Sequence, residues 1–208
     1  MFNKARLKFD DIFENRLSAD EVQKYLIDLY NRKETSDEIA AAASAMREHM
    51  IRLELPLSLQ EQLIDNCGTG GDKSNSFNIS TTVSILLSAC GAKVAKHGNR
   101  SITSNSGSAD VLEALGVNLL LTIPKQIEML KKCGFIFMFA INHHPAMKHI
   151  MPIRKNIPHR TIFNILGPLS NPAGAQKQLI GVFDKTFVLK IAQALTKLNT
   201  KKAMVVSS

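Results

Sequence analysis

The sequence predicts an α/β protein in which a small all-helical N-terminal domain precedes a larger α/β domain with a mostly parallel central sheet. Residues 1–64 carry apolar residues at helical spacing. From Cys67 onward, short apolar runs alternate with helical patterns, which is typical of a parallel sheet covered by helices. We therefore expect a helical domain at 1–64, which is also a candidate dimer interface, and an α/β domain at 65–208.

Three start signals predict the helices of the N-terminal domain. Ser18 and Glu21 form a capping box, in which the serine accepts a hydrogen bond from a first-turn N–H and the glutamate reaches back. Ser36 opens a second helix, and Ser58 with Glu61 forms another capping box. The apolar stripes that follow these starts predict an intramolecular core.

Apolar runs and helical spacing predict the elements of the α/β domain. Strands buried on both faces are predicted at 94–96, 135–140 and 203–206. Helices are predicted at 80–89, 108–115, 125–132 and 185–198. Gly91, Gly116 and Gly134 each follow a helical pattern, where a C-terminal cap is expected. The last strand ends the chain, so we expect the α/β domain to be incomplete and truncated at its C-terminus.

The charge balance of the chain favours anionic partners. The 208 residues include 26 Lys and Arg against 18 Asp and Glu, a formal net charge of +8. Such an excess is typical of proteins that bind nucleic acid or anionic small molecules. The basic residues are scattered, there are two tyrosines and no tryptophan, and aromatic residues do not alternate with basic ones. We therefore expect anionic metabolites as partners, with nucleic acid as the minority hypothesis.

Signals for membranes, secretion and disulfides are missing from the sequence. No apolar run reaches the roughly 18 residues of a membrane span, and the first residues lack the apolar core of a signal peptide. Cys67, Cys90 and Cys133 are far apart and include no CxxC pair, which disfavours a disulfide framework or a zinc site. We expect a cytoplasmic protein with no membrane partner.

The stretch from Cys67 to Asp72 contains three glycines in four positions. Glycine allows the backbone to bend where a Cβ would clash, and successive N–H groups can then surround an anion. A helical segment follows the turn, which is the usual setting for phosphate at a helix N-terminus. Taken alone, the turn fits a plain surface loop and an anion cradle about equally.

Two further polar stretches make an anion site the stronger interpretation. Residues 96–100 follow a predicted strand and combine a lysine for phosphate with a glycine and an asparagine. Residues 101–108 bring a run of hydroxyls to a helix N-terminus. Each stretch alone fits a solvated loop, but three anion-compatible loops on one scaffold favour binding.

Histidines and arginines follow later in the chain. His143, His144 and His149 lack the i, i+4 spacing of two metal ligands on one helical face, so packing or substrate contact is favoured over metal. Arg154 and Arg160 flank a proline-containing turn, where an arginine can bind a carboxylate with two hydrogen bonds. Composition alone favours surface arginines at these positions.

No nucleophile and base can be paired from the spacing, and the glycine turn is not a GxxxxGK[ST] loop. Anion cradles without an evident nucleophile indicate group transfer from a phosphorylated donor, where positioning and charge stabilisation supply most of the catalysis.

Six motifs, in order and over nearly the whole chain, resemble those of the anthranilate phosphoribosyltransferase family. They are GTGGD at 68–72, NIST at 78–81, KHGNR at 96–100, SGSAD at 106–110, NHHPAM at 142–147 and RTIFNILGPLSNP at 160–172. The resemblance implies transfer of phosphoribosyl from 5-phosphoribosyl 1-diphosphate to the amino group of anthranilate, with release of pyrophosphate, in tryptophan biosynthesis. It also implies Mg²⁺ at the diphosphate, a homodimer joined through the helical domain, and association with a glutamine amidotransferase component.

The resemblance further implies roles for individual residues. The expected catalytic residues are Lys96, Asn99 and Arg154. Those expected at the phosphoribosyl diphosphate are Gly68, Gly71, Asp72, Ser76, Asn78, Ile79, Ser80, Thr81, Lys96, His97, Gly98, Asn99, Ser104 and Ser108. Those expected at anthranilate are Gly68, Asn99, His144, Arg154 and Pro168. Ser80 is the expected magnesium contact, and the other metal ligands, an acidic pair, are expected beyond Ser208.

Two alternatives remain open at this point. A pyrimidine nucleoside phosphorylase shares this architecture and also acts at a ribose anomeric carbon, but the sequence at 96–100 favours the transferase. A non-catalytic nucleic-acid-binding relative would gather basic residues on one face and bind with a steep salt dependence. Intact Asn99 and Arg154 argue against that second alternative.

Overall fold

A computed structural model describes residues 1–71, 77–101 and 106–207 of the chain. Its centre is a five-stranded parallel sheet with the strand order β3-β2-β1-β4-β5. The strands are β1 Leu63–Asp65, β2 Lys93–Gly98, β3 Phe135–Phe139, β4 Lys177–Gly181 and β5 Lys202–Val206. The α/β class and the parallel sheet predicted from the sequence are confirmed.

Helices precede the sheet and connect its strands. Those before β1 are α1 Phe2–Phe13, α2 Ala19–Arg32, α3 Ser36–Glu48 and α4 Leu57–Gln60. Those between β1 and β3 are α5 Ile79–Ala89, α6 Ser108–Ala114 and α7 Ile123–Cys133. Those after β3 are α8 Ala140–His143, α9 Met147–Lys155, α10 Phe163–Leu166, a 3₁₀ turn Gly167–Leu169, and α11 Thr186–Lys197. Within the described ranges, no helix is both long enough and apolar enough to cross a membrane.

The strand β3 is buried on both faces and separates two layers of core. Phe135, Phe137 and Phe139 pack with Leu112 of α6 on one face. Ile136 and Met138 pack with Leu130 of α7 on the other face. This arrangement follows from the alternation of side chains along a strand, and it explains why the apolar run at β3 lacks polar positions.

A third core joins the N-terminal helices to the rest of the molecule. Phe9 of α1, Leu26 of α2 and Ile39 of α3 are fully buried against Phe163 of α10 and Ile191 of α11. The apolar side chains of these helices are therefore buried, and the helices stabilised by the hydrophobic effect, through contact with segments about 120–180 residues later in the chain. The division of the chain at residue 64 stays a prediction, although β1 begins at Leu63.

Several local signals for helix ends are confirmed. The capping box at Ser18 and Glu21 is present. A capping box also starts the helix that was predicted to open at Ser36. It is formed by Thr35, one residue before the predicted start, with Glu38. Gly134 caps α7 at φ +71°, and Gly91 and Gly116 also have positive φ just after helices, as the sequence predicts.

Two expectations are wrong, and a strand was missed. Ser58 does not cap a helix, because α4 begins at Leu57 after Pro56 and ends at Gln60. The strand β5 is mostly exposed rather than buried on both faces. The strand β4 was not predicted, because polar residues interrupt its short apolar run.

Candidate active site

Among the described residues, several predicted site residues lie at or just after the carboxyl ends of strands, with Gly68 after β1, Lys96 to Asn99 at the end of β2, and His144 after β3. The chain leaves β1 towards β2 and β3 on one side, and it returns to β4 and β5 on the other side. In such sheets the connections separate where the strand order reverses, and the crevice between them is the usual binding position. Here that crevice lies at the end of β1, where the glycine turn begins.

The glycine turn is anchored to the end of β4. Thr69 donates its N–H to the Gly181 carbonyl (2.8 Å), and the Thr69 hydroxyl accepts from the Phe183 N–H (3.1 Å). Gly70 and Gly71 have φ of +65° and +79°, a conformation that costs a side-chain residue free energy but costs glycine little. Gly68 also lies against Gly181, at the end of β4. The beginning of the turn is thus held against the end of β4, whereas Gly70 and Gly71 are exposed.

The start of α5 links the loops that follow β1 and β2. Asn78 does not cap the helix with its side chain, and its Nδ2 instead donates to Ser106 Oγ (3.2 Å). Ser80 and Ile79 are exposed in the first turn, whereas Thr81 is buried. An eleven-residue helix with exposed polar groups in its first turn is suited to an anion.

Lys96 is a buried cation held by a neutral oxygen. It is 2% exposed, and its Nζ donates to the Asn66 carbonyl at 3.5 Å. Asp65 is fully buried nearby, and its Oδ2 accepts from Asn171 Nδ2 (2.7 Å). Burial raises the pKa of Asp65 to about 6, although the charge of Lys96 and the Asn171 bond oppose the shift. An ammonium with one long hydrogen bond keeps N–H donors for a phosphate.

His97 and His144 form a buried pair of neutral rings. His97 Nδ1 lies 2.9 Å from the Gly167 carbonyl, which can only accept, so this nitrogen carries the proton. His97 Nε2 therefore accepts from His144 Nε2, 3.2 Å away. Burial lowers the pKa of His97 to about 4 and that of His144 to about 2, so both rings are uncharged at neutral pH.

The loop after β2 folds back onto the start of α6. Ser108 Oγ donates to the Asn99 carbonyl (3.2 Å), and Asn99 Oδ1 accepts from the Arg100 N–H (2.8 Å). Arg100 pairs with Asp110 (2.8 Å) and Glu113 (2.9 Å) of α6. A Cβ on Gly98 would lie 2.3 Å from Ser108 Oγ and 2.7 Å from Phe137, so only glycine fits this close approach.

The 3₁₀ turn Gly167–Leu169 is fastened to the same edge of the sheet. The Gly167 carbonyl accepts from His97, and the Pro168 carbonyl accepts from Gln178 Nε2 of β4 (2.7 Å). These bonds place Pro168 near the two histidines. The structure therefore brings together Lys96, His97, His144 and Pro168.

Arg154 reaches the same segment through Asn164. Its Nη2 donates to Asn164 Oδ1 (3.3 Å), its Nη1 lies 3.4 Å from Met151 Sδ, and its guanidinium lies 5.5 Å from the centre of the Phe163 ring. Burial lowers the pKa of Arg154, and no charged group opposes this shift. A half-buried guanidinium with neutral neighbours is suited to a carboxylate ligand.

Arg160 has a structural role instead. Its Nη1 and Nη2 donate to the fully buried Glu34 at 2.8 Å and 3.2 Å, and its guanidinium stacks over Phe187 at 4.5 Å. Composition did not show this pairing, because Glu34 and Arg160 are 126 residues apart.

Some site residues are unplaced, and others were missed. Asp72, Ser76 and Ser104 lie outside the described residues. Asp65, Asn66, Asn164 and Asn171 support the site but were not predicted. For Asp65 the sequence offered one usable signal: an acidic residue stands directly after an apolar pair, just before the glycine turn. Among the residues that the structure describes, no group of three or more His, Cys, Asp and Glu could hold a metal.

Comparison with known proteins finds relatives over nearly the whole chain. Residues 60–208 match the glycosyl transferase family, a/b domain. The chain is 46% identical over 205 residues to the anthranilate phosphoribosyltransferase of Pseudoalteromonas translucida, covering 99% of this chain and 57% of that protein. It is 53% identical over 196 residues to that of Chromobacterium violaceum, covering 94% of this chain and 56% of that protein. The chain thus spans little more than half the length of these curated relatives.

Solved structures of similar proteins share the fold. The anthranilate phosphoribosyltransferase (TrpD) from Thermus thermophilus superposes with a TM-score of 0.93 at 40% identity, covering 100% of this chain and 62% of that chain. The Saccharomyces cerevisiae enzyme in complex with PRPP (phosphoribosyl diphosphate) and Mg superposes with a TM-score of 0.85 at 29% identity, covering 96% of this chain and 58% of that chain.

Proposed function

Because the chain belongs to the glycosyl transferase family through the a/b domain at 60–208, we propose that the whole protein is an anthranilate phosphoribosyltransferase. It transfers phosphoribosyl from 5-phosphoribosyl 1-diphosphate to the amino group of anthranilate, releases pyrophosphate, and serves tryptophan biosynthesis. The observation that carries the proposal is the guanidinium of Arg154, whose contacts among the described residues are neutral and which donates to Asn164 of α10, the helix that leads into the Pro168 turn.

The donor occupies the crevice at the end of β1 in this proposal. Gly68 and Gly71 support the diphosphate from the glycine turn, and the α5 start and the loop to Ser108 surround its phosphates. Lys96 reaches them from β2, where its single long hydrogen bond leaves N–H donors available. The yeast relative bound to PRPP and Mg supports this choice of donor.

The acceptor lies between Arg154 and the buried histidines. Arg154 binds the carboxylate of anthranilate, and Asn99, His144 and Pro168 contact the remainder of the molecule. Structures of the yeast relative in complex with 4-fluoroanthranilate support an acceptor of this shape.

Catalysis in this proposal rests on positioning and charge. The anomeric carbon passes through an oxocarbenium-like transition state, and Lys96 offsets the negative charge that develops on the leaving pyrophosphate. An aromatic amine is nucleophilic when neutral, so the reaction does not demand a strong general base. The uncharged rings of His97 and His144 can therefore line the acceptor site. Arg154 keeps the amine in line with the departing bond.

Mg²⁺ fits this chain only in part. The exposed Ser80 hydroxyl at the start of α5 is an oxygen ligand of the kind that Mg²⁺ prefers. The described residues contain no acidic cluster to complete a site. When bound, Mg²⁺ would offset the charge of the diphosphate, and Ser80 would supply one ligand.

Assembly and location complete the proposal. The helical domain at 1–64 forms the interface of a homodimer, and a glutamine amidotransferase component associates with the enzyme. The protein acts in the cytoplasm.

Arg154→Ala in the intact protein tests the role of the guanidinium. Hydrogen bonds to charged groups are worth about 1.5–3 kcal/mol, so the KM for anthranilate should rise about tenfold to a hundredfold. The KM for the donor should change less than about twofold, because Arg154 contacts only the acceptor. Steady-state kinetics with each substrate varied in turn measures both constants.

Lys155→Ala is the matched control, since it removes the neighbouring exposed cation of α9. Equal effects of Arg154→Ala on both substrates would refute the assigned role. The wild-type protein should also be supplied with a pyrimidine nucleoside and phosphate. Turnover of that pair, without turnover of the diphosphate donor and anthranilate, would refute the proposed function.

A further inference from the structure

We propose that Asn164 is a positioning residue that determines acceptor specificity, because its neutral amide oxygen orients the Arg154 guanidinium without neutralising it. A guanidinium held in this way stays available to an acceptor that carries a carboxylate. The inference rests on the proposed function, since it takes Arg154 to be the group that binds the acceptor's carboxylate.

Within residues 1–71, 77–101 and 106–207, the contacts of Arg154 are to uncharged groups. Asn164 Oδ1 accepts from Nη2 at 3.3 Å, Met151 Sδ accepts from Nη1 at 3.4 Å, and the Phe163 ring lies 5.5 Å from the guanidinium carbon. A guanidinium has five N–H donors. These contacts fix its direction while its full positive charge is retained.

Asn164 is itself fixed in place. Its Oδ1 accepts from the Thr161 N–H at 2.9 Å and lies 3.5 Å from Thr161 Oγ1, and its backbone N–H donates to the Thr161 carbonyl at 2.9 Å. Thr161 is buried, with 1% of its surface exposed. The amide oxygen that meets Arg154 therefore belongs to a side chain held at the start of α10.

Most other arginines of the described chain are bound differently, although Arg47 and Arg52 also donate to neutral oxygens, those of backbone carbonyls. Carboxylates pair with five of them, namely Arg6, Arg16, Arg32, Arg100 and Arg160. At Arg154 the position of the partner is taken by an amide of the same shape as aspartate. An aspartate there would form a charge-assisted hydrogen bond with the guanidinium and compete with the carboxylate of the acceptor.

Asn164→Asp tests this inference, because the substitution keeps the shape and the acceptor for the Thr161 N–H while it adds a negative charge. The KM for anthranilate should rise about tenfold to a hundredfold, since a hydrogen bond between charged groups must be replaced. The KM for the donor should change less than about twofold. Inhibition by 2-aminobenzamide, the uncharged analogue of anthranilate, should be unchanged, so the preference for the charged acceptor should fall.

Asn156→Asp is the matched control, because it adds the same charge at an exposed position two residues from Arg154. Asn164→Ser is the second variant. It keeps a neutral acceptor close to the Thr161 N–H but is too short to reach Arg154, so its KM for anthranilate should lie between those of the wild type and Asn164→Asp.

Several outcomes would overturn the inference. One is an unchanged KM for anthranilate in Asn164→Asp. A second is an equal rise in both KM values, and a third is the same rise in Asn156→Asp, which would indicate a long-range effect of charge. If Asn164→Asp does not fold, a wild-type KM in Asn164→Ser overturns it. Failure of the wild-type protein to use anthranilate would instead refute the proposed function, and the inference with it.

Discussion

Asp65 stands at the junction of the candidate site and the core. It is fully buried at the end of β1, it accepts a hydrogen bond from Asn171, and burial raises its pKa to about 6. In the unfolded chain its carboxyl group has an ordinary pKa near 4. Between these two values the folded protein binds a proton that the unfolded chain has lost, so the contribution of Asp65 to stability falls as the pH rises.

Asp65→Asn should therefore gain stability relative to the wild type as the pH rises. From the two pKa values, the difference in free energy of unfolding should shift by about 1 kcal/mol in favour of the variant between pH 5 and pH 7. Urea unfolding of both proteins at the two pH values measures it. An equal difference at both values would mean that the Asp65 carboxyl titrates with its ordinary pKa.

Distance along the chain separates what the sequence predicted from what it did not. The capping box at Ser18 and the cap at Gly134 depend on residues a few positions away, and both were predicted. The bond between Asp65 and Asn171 joins residues 106 apart, and no local pattern reports such a contact. The motifs located the loops of the site, but their supporting residues became visible only in the folded chain.

At the scale of elements, the connection between β2 and α6 depends on close packing at Gly98. A Cβ there would lie 2.3 Å from Ser108 Oγ and 2.7 Å from an atom of the Phe137 ring, both shorter than ordinary contacts. The hydrogen bond from Ser108 to the Asn99 carbonyl holds the same approach (3.2 Å). The close approach of Gly98 to Ser108 and Phe137 thus depends on the absence of a side chain at residue 98.

Gly98→Ala should destabilise the protein by about 1–3 kcal/mol, the usual cost of overpacking, and should raise the KM for the donor. Thermal unfolding and donor kinetics measure the two effects. Gly181→Ala is the control at the end of β4, where a Cβ would meet no atom within 4 Å. Equal stability of the two variants would show that the loop after β2 moves aside at little cost.

At the scale of the whole molecule, Glu34 connects three parts of the chain. It lies between α2 and α3, it pairs with Arg160 (2.8 Å), and its carbonyl accepts from Lys190 of α11 (2.8 Å). Glu34 is fully buried, whereas the Arg160 side chain keeps 21% of its surface exposed. The N-terminal helices are thus joined by charge, as well as by the core, to the segment that carries Arg154 and Asn164.

Glu34→Gln should destabilise the protein by about 3 kcal/mol, because it leaves the Arg160 charge without a carboxylate in a mostly buried place. Glu61→Gln is the control, since Glu61 pairs with Lys201 at the exposed surface and such pairs contribute about 0–1 kcal/mol. Urea unfolding compares the two. A similar loss in both variants would show that the Glu34 pair is worth no more than a surface contact.

The central strand β1 is shorter than both of its neighbours. Ile64 is level with Val94 of β2, and Asp65 is level with Gln178 of β4, yet β2 continues to Gly98 and β4 to Gly181. Both neighbours therefore extend three residues beyond β1, which is about 10 Å at about 3.3 Å per residue. Beside these extensions the chain runs from Asn66 to Thr69, where the Asn66 carbonyl accepts from Lys96 and the Thr69 N–H donates to the Gly181 carbonyl. Because these residues replace a longer strand, the glycine turn begins inside the sheet, held by β2 on one side and by β4 on the other.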